Sequence, residues 1–217
     1  DVVVRNDSRF HFIHDSINNS AIVKELINQV DLTINFAAES HVDKSIADPE
    51  LFVKTNVLGV TNLLNSIAKK GSGRLVQVST DEVYGSIPKG SWDESSPISP
   101  NSPYSASKAS ADLLCQAFHR TYGVDVAITR CSNNYGPNQF PEKLIPLAIK
   151  SLVNGEKVPI YGDGQQAREW IHVNDHCSGI ALVAKAGLAG HVYNIGSGAG
   201  LKNIELVSLI IREMGLL

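Results

Sequence analysis

Five side chains in two short stretches have the types and the spacing for proton transfer. Thr80, Asp81 and Glu82 lie within the run Val76 to Gly85, and Tyr104 and Lys108 bound the run Tyr104-Ser105-Ala106-Ser107-Lys108. Leu75 to Val78 is an apolar run of strand type, so the hydroxyls and carboxyls from Ser79 to Glu82 emerge where a buried strand ends. In an open α/β sheet that end is where ligands sit. Ser102-Pro103 makes a helix opening, a capping hydroxyl followed by proline at the first helical position, which puts Tyr104 and Lys108 one turn apart on one face. A phenol beside an ammonium has its ionised form favoured, and two adjacent carboxyls repel, so that one of them holds its proton near neutrality. Singly, these features have plain explanations: an exposed Tyr–Lys pair, a solvated acidic turn. Their conjunction at a strand exit is what points to a site.

The elements that must position these groups are set by periodicity. Asp1 to Arg5 and Phe10 to Ile13 read as short strands, and Asn18-Asn19-Ser20 can cap a helix with Ile22, Val23, Leu26, Ile27 and Val30 at helical spacing. Leu32 to Phe36 is a strand, left by the small-residue turn Ala37 to His41. Asp48-Pro49 opens a long helix to about Lys70, with Phe52, Val53, Val57, Val60, Leu63, Leu64 and Ile67 inward and Gly71 as its stop. A serine- and proline-rich loop joins the organising strand to the Tyr104 helix. Val124 to Thr129 is the next strand, then a helix from about Glu142 to Val153, a strand near Val158 to Tyr161, a turn at Gly162 to Gly164 and a strand from Arg168 to Val173. Asn174-Asp175 caps a helix to about Lys185, Val192 to Ile195 is a strand, and Asn203 opens the last helix. Strands alternating with helices of crossover length mean an α/β fold with a mainly parallel sheet, doubly wound and covered on both faces.

A chain of 217 residues with 43% hydrophobic and 19% charged residues has the composition of a globular protein with a substantial core. A net charge of -3 offers no basic stripe and argues against nucleic acid as the main partner. Three cysteines without paired spacing, Cys115, Cys131 and Cys177, suggest neither a disulfide framework nor a metal site, and fit a cytoplasmic setting. No apolar run reaches membrane-spanning length.

Three other patterns carry less. Gly196-Ser197-Gly198-Ala199-Gly200 imitates part of a dinucleotide fingerprint, but the third glycine is misplaced and no acidic residue stands at the required distance beyond it, so it reads as a loop. His172 and His176 have Asn174-Asp175 between them, a strand-to-helix junction, which speaks against a shared metal; no metal is expected. Lys143 and Arg168, beside Tyr161 and Trp170, have the charge to hold a diphosphate.

The motifs together resemble the extended short-chain dehydrogenase/reductase family, and within it the dTDP-glucose 4,6-dehydratases. The likeness rests on Ala37 to Asp43, Ser79 to Gly85, Tyr104 to Lys108, Ser132 to Pro137, Pro141 to Pro146 and Asn194 to Gly196, in that order. It implies a Rossmann-like fold with an NAD-binding domain over residues 1–138, to which 172–195 return. An interleaved substrate-binding part would be built from 139–171 and 196–217. It also implies roles: Tyr104, lowered by Lys108 and the nicotinamide charge, as base at the sugar C4 hydroxyl; Thr80 as hydrogen-bond partner of that oxygen; Glu82 as base at C5; Asp81 as acid on the departing C6 hydroxyl. NAD would be lined by Ile17, Phe36, Ala37, Ala38, Ser40, Thr55, Tyr104, Lys108 and Asn134. The nucleotide sugar would be held by His41, Thr80, Asn133, Glu142, Lys143, Pro159, Ile160, Tyr161, Arg168 and Asn203. A homodimer through a four-helix interface, built by the long helices from about Asp48 and Pro103, is implied as well.

The sequence departs from that family in three respects. The N-terminal strand, glycine-rich turn and first helix of the family are absent, Ser16 stands where an acidic residue meets the adenine end, and the C-terminal part of the substrate domain is cut off, so the chain is expected to be a partial member. The rival readings are an NAD-dependent epimerase or decarboxylase acting on a UDP-sugar, and a non-catalytic nucleotide-binding module.

Overall fold

The computed structural model describes residues 6–87 and 90–216. The first helix, α1 (Ser20–Gln29), starts where the Asn19 side chain accepts from the Ala21 and Ile22 backbone amides, and it buries Val23 and Ile27. After β1 (Leu32–Asn35) comes an unexpected short helix, α2 (Val42–Ala47), capped by His41. The expected long helix comes next, in three parts: α3 (Pro49–Phe52) capped by Asp48, a π-helical turn over Val53–Leu58, and α4 (Gly59–Lys70) closed by Gly71.

The π turn corrects the inward face read from the sequence. Its wider winding rotates Val53 out to 48% exposure and brings Asn56 in. The Asn56 amide then bonds both the Glu39 amide (2.8 Å) and the Glu39 carbonyl (3.0 Å), and donates to Ser107 Oγ at 2.9 Å. One side chain thus ties the turn after β1 to the Tyr104 helix.

The main sheet runs β1–β2–β3–β6, all parallel, with β2 (Arg74–Thr80) and β3 (Asp125–Cys131) central and β6 (Val192–Ile195) at one edge. On one face α1, α4 and the twenty-residue α5 (Pro103–Tyr122) pack through Val23, Ile27, Leu63, Leu64, Ala111 and Ile128. On the other lies α7 (Val173–Ala186), with Ile180 and Val183 against Val76 and Ala127. The doubly wound arrangement expected from the alternation of elements is therefore present.

A smaller sheet stands beside it. Two three-residue strands, β4 (Asn133–Tyr135) and β7 (Gly200–Lys202), flank β5 (Ala167–His172), β4 in parallel and β7 antiparallel. Helices α6 (Leu144–Val153) and α8 (Asn203–Glu213) pack together next to it.

Several expected elements differ. Phe10 to Ile13 has no regular structure and leaves Phe12 exposed; among the described residues no strand pairs with it. The expected strand at Asp1 to Arg5 lies outside the described residues. Val158 to Tyr161 is irregular: Pro159 has no N–H for a ladder, and a turn begins at Gly162. Helix α7 is capped by the His172 side chain, which accepts from the Asn174 amide at 3.2 Å, rather than by Asn174.

Candidate active site

The tip of β2 is shaped by the 3₁₀ turn over Asp81–Tyr84. Thr80 keeps extended geometry and its hydroxyl caps that turn, accepting from the Glu82 amide at 3.2 Å and donating to Asp81 Oδ1 at 3.3 Å. Val83 and Tyr84 are buried against Ala109 of α5, which pins the turn and leaves the two carboxyls at its start. Gly85 leaves the turn at φ 82°, and a side chain there would collide with the Ser99 carbonyl, so the serine-rich loop folds back over it.

Opposite stands the first turn of α5. Ser102 and Ser105 form a reciprocal capping box with Pro103 between them, which fixes the helix start and hence Tyr104. The Tyr104 ring meets Phe52 edge-on at 6.3 Å, and its phenol faces the Thr80 hydroxyl and the carboxyls of Glu82 and Asp81. The five chemical side chains therefore converge, as their spacing implied. The Lys108 ammonium, on a residue 5% exposed, donates to the Val78 carbonyl at 2.7 Å.

The ionisation states correct one expectation and support another. The Tyr104 phenol is pushed up from its usual range in the free chain, by burial first and then by Glu82. Burial in turn pulls Lys108 down. Asp81 is pushed up to about 6, by burial and then by the charge of Glu82, and Glu82 is raised by burial while Arg168 and Lys143 oppose. One of the adjacent acids thus keeps its proton close to neutrality, the arrangement an acid–base pair requires.

A cleft of about 430 Å³ opens over these groups between the two sheets. Of the expected site residues, Phe36, Ala38, Ser40, Thr80, Glu82, Tyr104, Lys108, Asn133, Asn134, Lys143, Arg168 and Asn203 line it. Asp81 sits behind Thr80. His41 and Glu142 pair with each other at 3.5 Å, and the Lys143 ammonium donates to the Ser40 carbonyl at 3.3 Å, so the segments after β1 and before α6 meet. Ile17, Ala37, Thr55, Pro159, Ile160 and Tyr161 do not line the cleft. Ile17 packs on Gly59 and the core, while Tyr161 donates to Asp43 at 3.2 Å on the surface.

Sequence reasoning missed the lining residues Cys131, Ser132 and Gln139, whereas Ser79 at the strand exit and Trp170 beside the basic pair line the cleft as well. Cys131 had a signal, since it pairs in register with Thr80 and ends the neighbouring strand. Its thiol is pushed up to about 11 by burial and stays neutral. Asn134 is locked: its amide donates to Cys131 Sγ and to the Ser132 carbonyl, and its oxygen meets His176 Nδ1 at 2.8 Å. The glycine run at 196–200 wraps a carboxylate, with the Gly198 amide donating to Glu169 at 2.7 Å.

The lining suits the nicotinamide end of a dinucleotide. Phe36 and Ala38 give it an apolar wall and small side chains, and the buried Ser132 hydroxyl in the same lining has no partner among the described residues. Lys143 and Arg168 give the other end of the cleft positive charge. Among the described residues no glycine-rich phosphate cradle lines it.

The family model described as GDP-mannose 4,6 dehydratase matches residues 1–216. A dTDP-glucose 4,6-dehydratase of Streptomyces antibioticus is 52% identical over 212 residues, which are 98% of this chain and 63% of that protein. The solved structure of a dTDP-glucose 4,6-dehydratase from Streptomyces venezuelae, with NAD bound, has a TM-score of 0.96 at 53% identity, over 99% of this chain and 66% of that one. A UDP-glucuronic acid 4-epimerase from Bacillus cereus is as complete a match in space, TM-score 0.92 over 99% of this chain and 68% of its own, at 28% identity. The chain spans a little under two thirds of the length of the dehydratases it matches.

Proposed function

This chain belongs to the family described as GDP-mannose 4,6 dehydratase, and on that premise we propose that it dehydrates a nucleotide sugar with NAD, converting dTDP-glucose to dTDP-4-keto-6-deoxyglucose. The observation that carries the reading is the acid pair Asp81–Glu82 held at the Tyr104 phenol. An epimerase needs a base and a donor at C4 but has no use for a second acid and base aimed at C5 and C6. The identities of the relatives support the same choice, 52% to a dehydratase and 28% to an epimerase.

NAD, when bound, supplies the acceptor and the later donor of hydride. Phe36, Ala38, Ser40, Lys108 and Asn134 would hold its nicotinamide side, in the half formed by residues 1–138 and 172–195; Asn133, Lys143, Arg168 and Asn203 would hold the nucleotide sugar. Tyr104 takes the proton of the C4 hydroxyl, and Thr80 holds that oxygen by donating a hydrogen bond to it. The C4 ketone acidifies the C5 hydrogen, which Glu82 removes as a proton. Asp81, whose carboxyl is pushed up to about 6, gives its proton to the C6 hydroxyl as it leaves as water. Mixing the protein with NAD and dTDP-glucose is expected to yield a 4-keto-6-deoxy sugar, identified by NMR of the product. An inverted sugar that keeps its C6 hydroxyl would replace this reading with an epimerase.

The protein acts as a homodimer in the cytoplasm in this reading. The π turn presents Val53 and Leu58, and α5 presents Leu113, to solvent at 48%, 57% and 54% exposure, an apolar face of the kind that two copies cover in a four-helix contact. All three cysteines are unpaired, which suits a reducing compartment. No helix among the described residues is long and apolar enough to cross a membrane. Light scattering is expected to give the mass of a dimer, and Leu58→Asp with Leu113→Asp the mass of a monomer; a wild-type monomer would refute the contact.

A further inference from the structure

Beneath the cleft lies an ion pair that the proposed chemistry does not use. Arg130 Nε donates to Asp112 Oδ2 at 2.9 Å, with side chains 2% and 0% exposed. Arg130 is further fixed by the Tyr84 ring, 4.7 Å from its guanidinium carbon, and Tyr84 by its bond to Asn194 at 2.8 Å. A buried pair of this kind contributes little stability over an apolar replacement, so its presence asks for another reason. Asp112 lies four residues after Lys108 on α5, the spacing that puts two side chains on one helix face.

Lys108 is itself buried, and its ammonium has a neutral partner, the Val78 carbonyl. Its charged and titratable neighbours are few. On α5 they are Asp112 and Cys115, and on β3 Cys131; Asp81 and Glu82, at the tip of β2, bear on Tyr104. The phenol and both thiols are raised by burial and uncharged at neutral pH. Asp112 is thereby the fixed carboxylate left to balance Lys108. Its carboxyl is held above the usual range, by burial first, while Arg130 and Lys108 oppose; the guanidinium at 2.9 Å favours the ionised form. Its second oxygen, Oδ1, is buried without a hydrogen-bond partner among the described residues, so part of that charge is not spent on Arg130.

We propose that Asp112, oriented by Arg130, is a positioning residue of this site: its carboxylate is the counter-charge that keeps the Lys108 ammonium charged and seated on the Val78 carbonyl below Tyr104. The role in turnover rests on the function proposed above, whereas the charge coupling can be measured without any substrate. The ¹³Cε resonance of Lys108, identified by its loss in Lys108→Arg, reports the lysine titration. Asp112→Asn takes the carboxylate from both buried cations, Lys108 and Arg130, and is expected to lower the Lys108 midpoint by about one to two pH units. Arg130→Met frees the carboxylate for Lys108 alone and is expected to raise it. The double variant should fall between Asp112→Asn and the wild type. These opposite displacements are what a merely structural pair would not produce, since damage to packing moves both variants in one direction.

The alkaline limb of the product-forming rate is expected to show the same order. Should Asp112→Asn fail to fold, Arg130→Met and the double variant still decide. A Lys108 midpoint that stays fixed, or moves the same way in both single variants, overturns the proposal. Absence of 4-keto-6-deoxy product from the wild type would instead overturn the function, with the Lys108 titration standing on its own.

Discussion

Tyr104→Phe is expected to reduce formation of the 4-keto-6-deoxy product by about 10²- to 10⁴-fold, the loss that accompanies removal of a positioned general base. The substitution deletes one oxygen and keeps the ring, so the edge-on contact with Phe52 survives. In the free chain that oxygen is buried and faces the carboxyls of Glu82 and Asp81, which hold it protonated. The phenol is neutral there, so its removal takes away no buried charge, and thermal unfolding is expected within a few degrees of the wild-type temperature. Activity and stability should therefore part company, as they do where a site is built against its own comfort. The assigned role fails if product forms at a rate within a few-fold of wild type. The raised phenol carries a second consequence. A base that is protonated in the free chain must be ionised by what binds, so the ultraviolet signal of a tyrosinate should be absent at neutral pH until the cofactor is added.

What the sequence disclosed and what it concealed divide along physical lines. The strand tip and the Tyr104 helix were legible because each is set locally: an apolar run fixes β2, and Ser102-Pro103 fixes the start of α5. The π turn left no such mark. One extra residue in its winding put Val53 outside and Asn56 inside, and nothing in the residue types announces it. Phe10 to Ile13 alternates as a strand should, yet a strand needs a neighbour, and pairing is not a property of the segment. The direction of the Tyr104 shift was hidden for a related reason. A lysine one turn away is visible in sequence, whereas burial, which outweighs it, belongs to the assembled site. Trp170 and Gln139 reach the cleft from the second sheet and its surroundings, where three-residue strands are too short to show a period.

Separating the two carboxyls gives the sharpest test of the dehydration step. Glu82→Gln removes the proposed base at C5 and is expected to stop both water loss and exchange of the C5 hydrogen with deuterated solvent, by about 10²- to 10⁴-fold. Asp81→Asn keeps that base and removes the acid. Exchange at C5 should persist while water loss slows, because the C5 proton comes off but the C6 hydroxyl cannot leave as readily. Both variants retain Tyr104, Thr80 and Lys108, so oxidation at C4 remains available to each. The pH dependence carries a sign as well. Asp81 holds its proton up to about pH 6, and its donor form declines as pH rises through that value. Wild-type elimination measured in single turnovers is thus expected to weaken above the midpoint, and Asp81→Asn to lose that limb because its amide does not titrate. Equal rates of water loss in Asp81→Asn and wild type, or undiminished C5 exchange in Glu82→Gln, would show that the two acids at the strand tip do not share the elimination between them.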